Sequence, residues 1–578
     1  MGNVGPSNNC INSFFTSMEE NIDEKLKCFW EIENVPPLKK IQSPDEIRCE
    51  KLYTESTYRN QDGRYVVSLP FKESPEKLGK SYDTALSRLK HLERRLNRDS
   101  DLKSQYISFM REYSILGHVM EVPPQSPIIG NYFIPHHGII KETSSTTRLR
   151  VVFDASTKSS SGTSLNDILL VGPKLQRDVV ELMCNFRIHK VVFTADTRQM
   201  YRQILVDEKS RRYQHILWRE SSDHPVKEFE LQTVTYGTSC APYLSIRTLH
   251  SNDEMLNFPK AASTLIKDTY VDDIISGAQT LESARHCIVE LIALLQKGCF
   301  ELRKWSSNHP EILEDIPVSY REVPLSFDDH CTKRIILSTI ARLYDPLGFI
   351  NRVVFIKYIK ELPSLANLKI DRYVATSPTS RCLLVGFADA SERGYCGIVY
   401  LVVINNTEIS SHILLAKSRV APIKITSIPR LELLGAVLLA NLLTYCQEVY
   451  KDRLQIEKTG AFTDSTIILA WLKTPSFLLQ TFVANRVETI IQNIPYEHWY
   501  HISSQENPAD LSSRGVFPSE IAGASLWWKG PNFISTPLEE WLFVRPPNIS
   551  VDQLPEYKSK NLISLSANVS TSDEKSFY

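Results

Sequence analysis

The sequence contains no run of about 18 consecutive apolar residues, so no segment reads as a membrane-spanning helix. It lacks a secretory signal: the opening MGNVGPSNNCINSFF has no charged start followed by an apolar core. It lacks any CxxC pair. The eleven cysteines are scattered and odd in number, which argues for reduced thiols and against a disulfide framework or a zinc site. The expected location is therefore intracellular, in the cytoplasm, with no membrane partner. Charge of one sign is also lacking, since 66 Lys and Arg against 67 Asp and Glu leave −1 and no global signature of a nucleic-acid partner. No internal repeat is evident.

What is present is an ordinary globular composition. Hydrophobic residues make up 42% and charged residues 23% of 578 positions, which excludes disorder as the dominant state. At about 150 residues per domain, three or four domains are expected. Residues 141–220 hold fourteen Lys and Arg against nine Asp and Glu, a local excess that suits either a solvated face or a nucleic-acid groove.

Residues 1–80 read as loops and short strands, YVVSLPF among them, between proline and polar clusters. From Ser81 to about Tyr113 the spacing of Leu86, Leu89, Leu92 and Leu96 predicts one charged amphipathic helix. Its Arg88, Lys90, Arg94, Arg95 and Arg98 either face solvent or track phosphate. Residues 130–245 alternate strand-like runs (NYFIP, RLRVVFD, KVVFTAD) with helical and turn segments, and SSSGTS reads as a flexible loop. A strand-turn-strand is expected at 264–276, then a helix to about Gly298. Residues 306–380 are proline-dotted and read as a connection. From Arg381 a second α/β pattern runs through CLLVGFAD, GIVYLVVI, an apolar helix and GAFTDS; after Gly515 no strong period remains.

Two sets of acidic residues stand out. Asp196 closes KVVFTAD, and Asp272–Asp273 sit inside IKDTYVDDIISG, which reads as a hairpin with the acids at its tip. Adjacent carboxylates on a rigid tip repel each other unless a cation lies between them. With a third carboxylate from a neighbouring strand, such a site could hold two Mg²⁺ about 4 Å apart. The competing reading is a polar turn. In the second set, Asp389 ends CLLVGFAD, Glu432 opens LELLGAVLLANLL, Asp464 ends GAFTD and Asp510 lies in NPADLSSRG. Residues 433–443 carry no charge, so that helix should be buried. A carboxylate at its edge should be paired, placed at the helix start or bound to a metal.

In order along residues 14–308 come FFTSMEENIDEKLKCFWEIE, RLRVVFDAS, TADTRQMYRQI, TVTYGTSCAPYL, YVDD and FELRKWSSN. This ordered set resembles the reverse transcriptases of long-terminal-repeat retroelements, most closely those of the BEL/Pao type. NPADLSSRG and LWWKGP are similar to BEL/Pao elements as well, and the second set of four acids resembles the ribonuclease H site. The fold so implied is α+β and multi-domain. A right-hand polymerase with fingers and palm and a shortened thumb/connection would precede a ribonuclease H-like α/β domain. The expected divisions are 1–119 (leader and part of the fingers), 120–305 (fingers and palm), 306–380 (truncated thumb and connection), 381–515 (ribonuclease H-like) and 516–578 (tail).

The resemblance also implies roles. Asp196, Asp272 and Asp273 match the polymerase metal ligands; Asp389, Glu432, Asp464 and Asp510 match those of ribonuclease H. Each site would take two Mg²⁺, with Mn²⁺ as a substitute. Arg150, assisted by Arg148, matches the residue that holds the incoming triphosphate, and Tyr201 the ring under its sugar. Tyr236 and Gly237 match the turn beneath the nascent pair, and Lys304 would contact phosphate or protonate pyrophosphate. The implied partners are an RNA template, a DNA primer, an RNA–DNA hybrid and deoxynucleoside triphosphates.

Departures are also visible. Thr197, Arg198 and Gln199 follow Asp196 where the family usually carries an acidic-basic pair. Gln505 stands where many ribonucleases H have a mobile histidine, with His501 on the preceding strand. The stretch after FELRKWSSN lacks the family's Leu-Gly…Trp strand, which resembles the primer grip, and IKYIKELPSLANLKIDRY joins segments that the family separates. No Asp-Ser/Thr-Gly motif is found, so the chain is expected to be a polyprotein portion between a protease and an integrase. Two rivals remain: a decayed copy that binds nucleic acid without polymerising, and an interaction protein whose acids form ordinary ion pairs.

Overall fold

The computed structural model describes residues 42–123, 131–140, 149–251, 253–322, 361, 364–365, 368–406, 408–422, 426–541, 543–545 and 554–558. They form two lobes of mixed α/β structure. Most of the segment expected to be a truncated thumb and connection lies outside the described residues, as does Arg148.

In the first lobe the strands are β1 (Tyr58–Arg59), β2 (Tyr65–Val67), β3 (Val119–Glu121), β4 (His136–Ile140), β5 (Leu149–Phe153), β6 (Val191–Thr197), β7 (Leu205–Val206), β8 (His215–Trp218), β9 (Lys227–Leu231), β10 (Thr269–Tyr270), β11 (Asp273–Ala278) and β12 (Leu302–Ser307). They make small sheets in the orders β1-β2-β7, β3-β9-β8, β4-β5 and β10-β11-β6-β12. One apolar core, running from Cys49 to Ile316, unites them. The leader from Cys49 onward therefore shares its core with residues 120–305, and β12 crosses the division placed at 305.

Several local expectations are corrected here. Within the stretch read as loops and short strands, Pro44–Ser56 is a helix: Ser43 and Glu46 form a reciprocal capping box, and Pro44 opens the first turn. The single helix expected from Ser81 to Tyr113 is two, Tyr82–Leu96 and Ser100–Ile115. Asp99 restarts it, its Oδ1 accepting from Leu102 N at 2.9 Å. Leu89, Leu92 and Leu96 are buried and Leu86 half-buried, as their spacing requires. SSSGTS is tied down: Gly79 N donates to Ser159 Oγ at 3.1 Å and Ser160 N to Lys80 O at 2.9 Å. Helix Pro259–Lys267 occupies the start of the 264–276 segment, and only from Thr269 does the chain become a hairpin.

In the second lobe, β13 (Arg381–Ala390), β14 (Gly394–Asn405), β15 (Glu408–Val420), β16 (Ile456–Thr463) and β17 (Trp499–His501) form one sheet in the order β15-β14-β13-β16-β17. The first three are antiparallel; β16 runs parallel to β13, and β17 parallel to β16. Helix Ile428–Tyr450 is long and apolar enough to cross a bilayer. Here its Leu433, Leu439 and Leu443 are fully buried in the core on one sheet face. It lies so close that a Cβ on Gly386 of β13 would stand 2.4 Å from Leu439 Cδ1. The other face is closed by the segment after Gly515, through Ile534 and Trp541. That segment, read as aperiodic, is thus part of the lobe. It packs through short 3₁₀ turns, which carry no helical or strand period.

Candidate active sites

The run VVFTADT builds β6 as the central strand of its sheet, with β11 on one side and β12 on the other. The β11–β6 register sets Asp273 directly opposite Asp196. Val271 and Asp272 make the β10–β11 turn, and Val271 adopts φ +59°, a left-handed conformation costly for a β-branched residue. The turn is clamped to β6 because Thr197 N donates to Asp272 O at 2.7 Å. All three acids thus come to one end of the sheet.

From the opposite side β12 pairs with β6 through a bulge between Arg303 and Ser306. Lys304 lies in that bulge with φ +51°. Its Nζ reaches Asp196 Oδ2 at 2.8 Å. A bulge is the device that re-aims a side chain in a ladder. Desolvation, and then the Asp196 charge, raise Asp272 above the usual carboxylate range, against Lys304 and Arg150. Asp273 reaches solvent, yet desolvation at the crowded strand ends, followed by repulsion from Asp272 and Asp196, pushes it up to about 6.

Around this trio stand the other expected residues. Arg150 is exposed on β5 and acts on Asp272 electrostatically. Tyr201 is buried, and its ring lies 4.5 Å from that of Tyr236. Burial raises Tyr201 and pushes Tyr236 up to about 12. Gly237 has φ +100°, and a Cβ there would fall 1.9 Å from Phe153 O, so only glycine lets this turn close on β5. Arg198, in the departure after Asp196, is held by Glu301 at 2.8 Å.

The second site forms where parallel strands end side by side. The register pairs Ala388 with Thr463, which brings Asp389 and Asp464 to adjacent strand ends. Glu432 lies near the start of helix Ile428–Tyr450, whose Gly435 sits so near β13 that a Cβ would be 3.0 Å from Asp389 O. Asp510 lies on helix Ala509–Arg514, anchored by the buried Asn507, which donates to Ala388 O at 3.0 Å. Burial, then repulsion by Asp464 and Asp510, pushes Asp389 up to about 6 despite a hydrogen bond from Ser513. Glu432 is raised by burial and Asp464.

Sequence reasoning missed what these acids touch. Ser513 Oγ donates to Asp389, Ser465 Oγ to Glu432 Oε2 at 2.6 Å, and Ser504 Oγ to Asp464 Oδ2 at 2.6 Å. Arg514 pairs with Asp510 at 2.7 Å. Ser465 and Ser513 stand inside the quoted motifs GAFTDS and NPADLSSRG, but their hydroxyl partners come from other elements. Gln505 is exposed in the turn Ser504–Glu506, and His501 ends β17 opposite Thr463. Near the first acid of this set, the glycine-containing hairpin expected between CLLVGFAD and GIVYLVVI is present as β13–β14.

Among the described residues no group of three or more His, Cys, Asp or Glu is close enough to hold a metal ion. Asp196 is paired with Lys304 and Asp510 with Arg514, while Asp389, Glu432 and Asp464 accept from serine hydroxyls. The donor sets themselves, three carboxylates at neighbouring strand ends and four shared between strand ends and helices, are hard oxygen ligands suited to Mg²⁺.

Residues 355–465 match a family model described as a Pao retrotransposon-like RNaseH-like domain. No curated protein matches the chain. Among solved structures the chain is similar to a foamy viral protease-reverse transcriptase in complex with an RNA/DNA hybrid. The identity is 13% and the TM-score 0.44, over 81% of this chain and 64% of that one. It is also similar to a foamy viral protease-reverse transcriptase in complex with dsDNA, at 12% identity and TM-score 0.44, over 70% of this chain and 83% of that one. The chain thus spans less than two thirds of the first of these structures.

Proposed function

We propose, on the premise that residues 355–465 belong to the Pao retrotransposon ribonuclease H-like family, that the chain is the reverse transcriptase–ribonuclease H portion of a BEL/Pao-type element. In this reading residues 120–305 supply fingers and palm, 381–515 the ribonuclease H domain, and the setting is an intracellular particle. The reactions are template-directed addition of deoxynucleotides to a 3′-hydroxyl and cleavage of RNA in an RNA–DNA hybrid. The observation that carries the polymerase half is the β6–β11 register: Asp196 faces Asp273, with Asp272 clamped beside them.

Divalent cations, when bound, would activate the attacking hydroxyl or water and offset charge on the leaving group. Asp196, Asp272 and Asp273 would hold them in the first site, and Asp389, Glu432, Asp464 and Asp510 in the second. The residues of this chain do the rest. Arg150, with Arg148, binds the triphosphate, a planar guanidinium being suited to bidentate phosphate contact. Tyr201 supports the sugar and excludes a 2′-hydroxyl; Tyr236 and Gly237 shape the floor under the nascent pair. Lys304 holds its ammonium nitrogen 2.8 Å from Asp196 Oδ2, close to where pyrophosphate would leave. Ser465, Ser504 and Ser513 orient the carboxylates they touch.

Primer extension by the purified chain, with an RNA template, a DNA primer, deoxynucleotides and Mg²⁺, tests the first activity; release of fragments from a labelled hybrid tests the second. Extension abolished by Asp272→Asn supports the reading. A second reading is a copy that binds nucleic acid without extending a primer. Template binding without extension would establish that reading instead.

A further inference from the structure

Side chains of both lobes build the seam between them. Cys184 and Ile188, at the end of helix Val179–Arg187 in the first lobe, are buried in the apolar core of the second. Tyr450, fully buried, donates its hydroxyl to Cys184 O at 3.3 Å. Two arginines cross in opposite directions. Arg187 donates to Ile413 O on β15 at 2.6 Å, and Arg372 donates to Phe186 O at 3.0 Å and His189 O at 2.7 Å.

Among the described residues two ion pairs join the lobes here: Lys267 Nζ stands 3.8 Å from Asp452 Oδ2 at the exposed rim, and a second pair is buried. Arg453 Nη2 stands 2.5 Å from Asp268 Oδ1, with side chains only 15% and 8% exposed. Asp268 immediately precedes β10, the first strand of the hairpin that carries Asp272 and Asp273. Its other oxygen, Oδ2, accepts from Ser276 Oγ on β11 at 2.6 Å, and its backbone carbonyl accepts from Ile275 N at 2.9 Å. The Asp268 carboxylate is thus bound on one side to the second lobe and on the other to β11, while the backbone carbonyl of the same residue holds β11 as well.

We propose that Arg453 is a positioning residue for the first acidic site: through Asp268 and Ser276, the second lobe holds the hairpin in register with β6. The weakly held strand is β10, which contributes only two residues to the hairpin ladder, Thr269 opposite Ile274 and Tyr270 opposite Asp273, whereas β11 pairs with β6 at six positions. A buried ion pair adds little net stability, but it can fix one geometry where two lobes meet. Loss of one partner leaves the other charge buried and uncompensated. The consequence for chemistry rests on the reading of Asp272 and Asp273 as metal ligands; the mechanical link does not.

Amide hydrogen exchange on the full chain tests the link. In Arg453→Met, the amides of β11, Ile275 above all, should exchange about tenfold faster than in the unmodified chain, while β13 and β16 keep their rates. Ser276→Ala should loosen the same amides without touching the seam, and Arg453→Lys should restore part of the protection. Unchanged β11 protection in Arg453→Met would overturn the proposal. So would equal acceleration in both lobes, which would reveal a purely stabilising pair. Primer extension is read separately, as deoxynucleotide KM against kcat. A chain that extends no primer in any form ends the polymerase reading, while the exchange result still decides the link.

Discussion

Replacing Asp389 with asparagine measures the repulsion built into the second acidic site. Asp389 is 6% exposed. Burial first, then Asp464 and Asp510, raise it from 3.8 to about 6. A carboxyl raised in this way holds its proton more tightly when folded than when unfolded. Between about pH 4 and pH 6 the folded state therefore binds more protons, and stability falls as pH rises through that window. A difference of about two units corresponds to roughly 3 kcal/mol, lost in full by about pH 7. Asp389→Asn keeps the shape and an oxygen for Ser513 but removes the charge. In EDTA, urea unfolding followed by circular dichroism should find the variant more stable by roughly 2–3 kcal/mol at about pH 7.5, with the gap closing near pH 4. Saturating Mg²⁺ should narrow the gap by stabilising only the unmodified chain. Equal stability at every pH, or a variant that is less stable at pH values above 7, would refute the reasoning.

Gly237→Ala sets a Cβ 1.9 Å from Phe153 O at φ +100°. Backbone strain alone should cost about 1–3 kcal/mol, read by thermal unfolding. The forced shift of β5 should also weaken nucleotide binding through Arg150, read by fluorescent-nucleotide titration. Tyr201→Ala should raise ribonucleotide incorporation relative to deoxynucleotide in single-turnover extension; unchanged selectivity would remove Tyr201 from that role. Ile534→Ala, at a fully buried position on the far face of the second sheet, should cost about 2–5 kcal/mol in urea unfolding. Unaltered stability would show that the segment after Gly515 contributes nothing to the lobe.

The acids themselves were legible because each sits at the end of an apolar run. KVVFTAD and CLLVGFAD must be strands with buried faces, and their terminal aspartates must emerge where the sheet stops. The IKDTYVDDIISG hairpin was legible for the same reason, with apolar flanks and acids at the tip. The uncharged stretch 433–443 correctly foretold a buried helix, and with it a carboxylate poised at the helix edge. Helix Pro44–Ser56 is also written locally, in the capping box of Ser43-Pro44-Asp45-Glu46, although its neighbourhood of prolines and polar clusters resembles loop. The break at Asn97–Asp99 was likewise a local signal, masked by a leucine period that continues in phase up to Leu96.

By itself, then, the sequence determined which segments become strands and helices, which faces they bury, and which acids lie at their ends, since alternation and helical spacing act over a few neighbouring residues. Only tertiary structure decided what those acids touch. Ser513 reaches Asp389 across 124 residues, Ser504 reaches Asp464 across 40, and Arg453 reaches Asp268 across 185. A bulge in β12, not any motif, turns Lys304 toward Asp196. Periodicity specifies that a face is buried but not against what, whereas a hydrogen bond or ion pair exists only once two distant elements have docked to within about 3 Å.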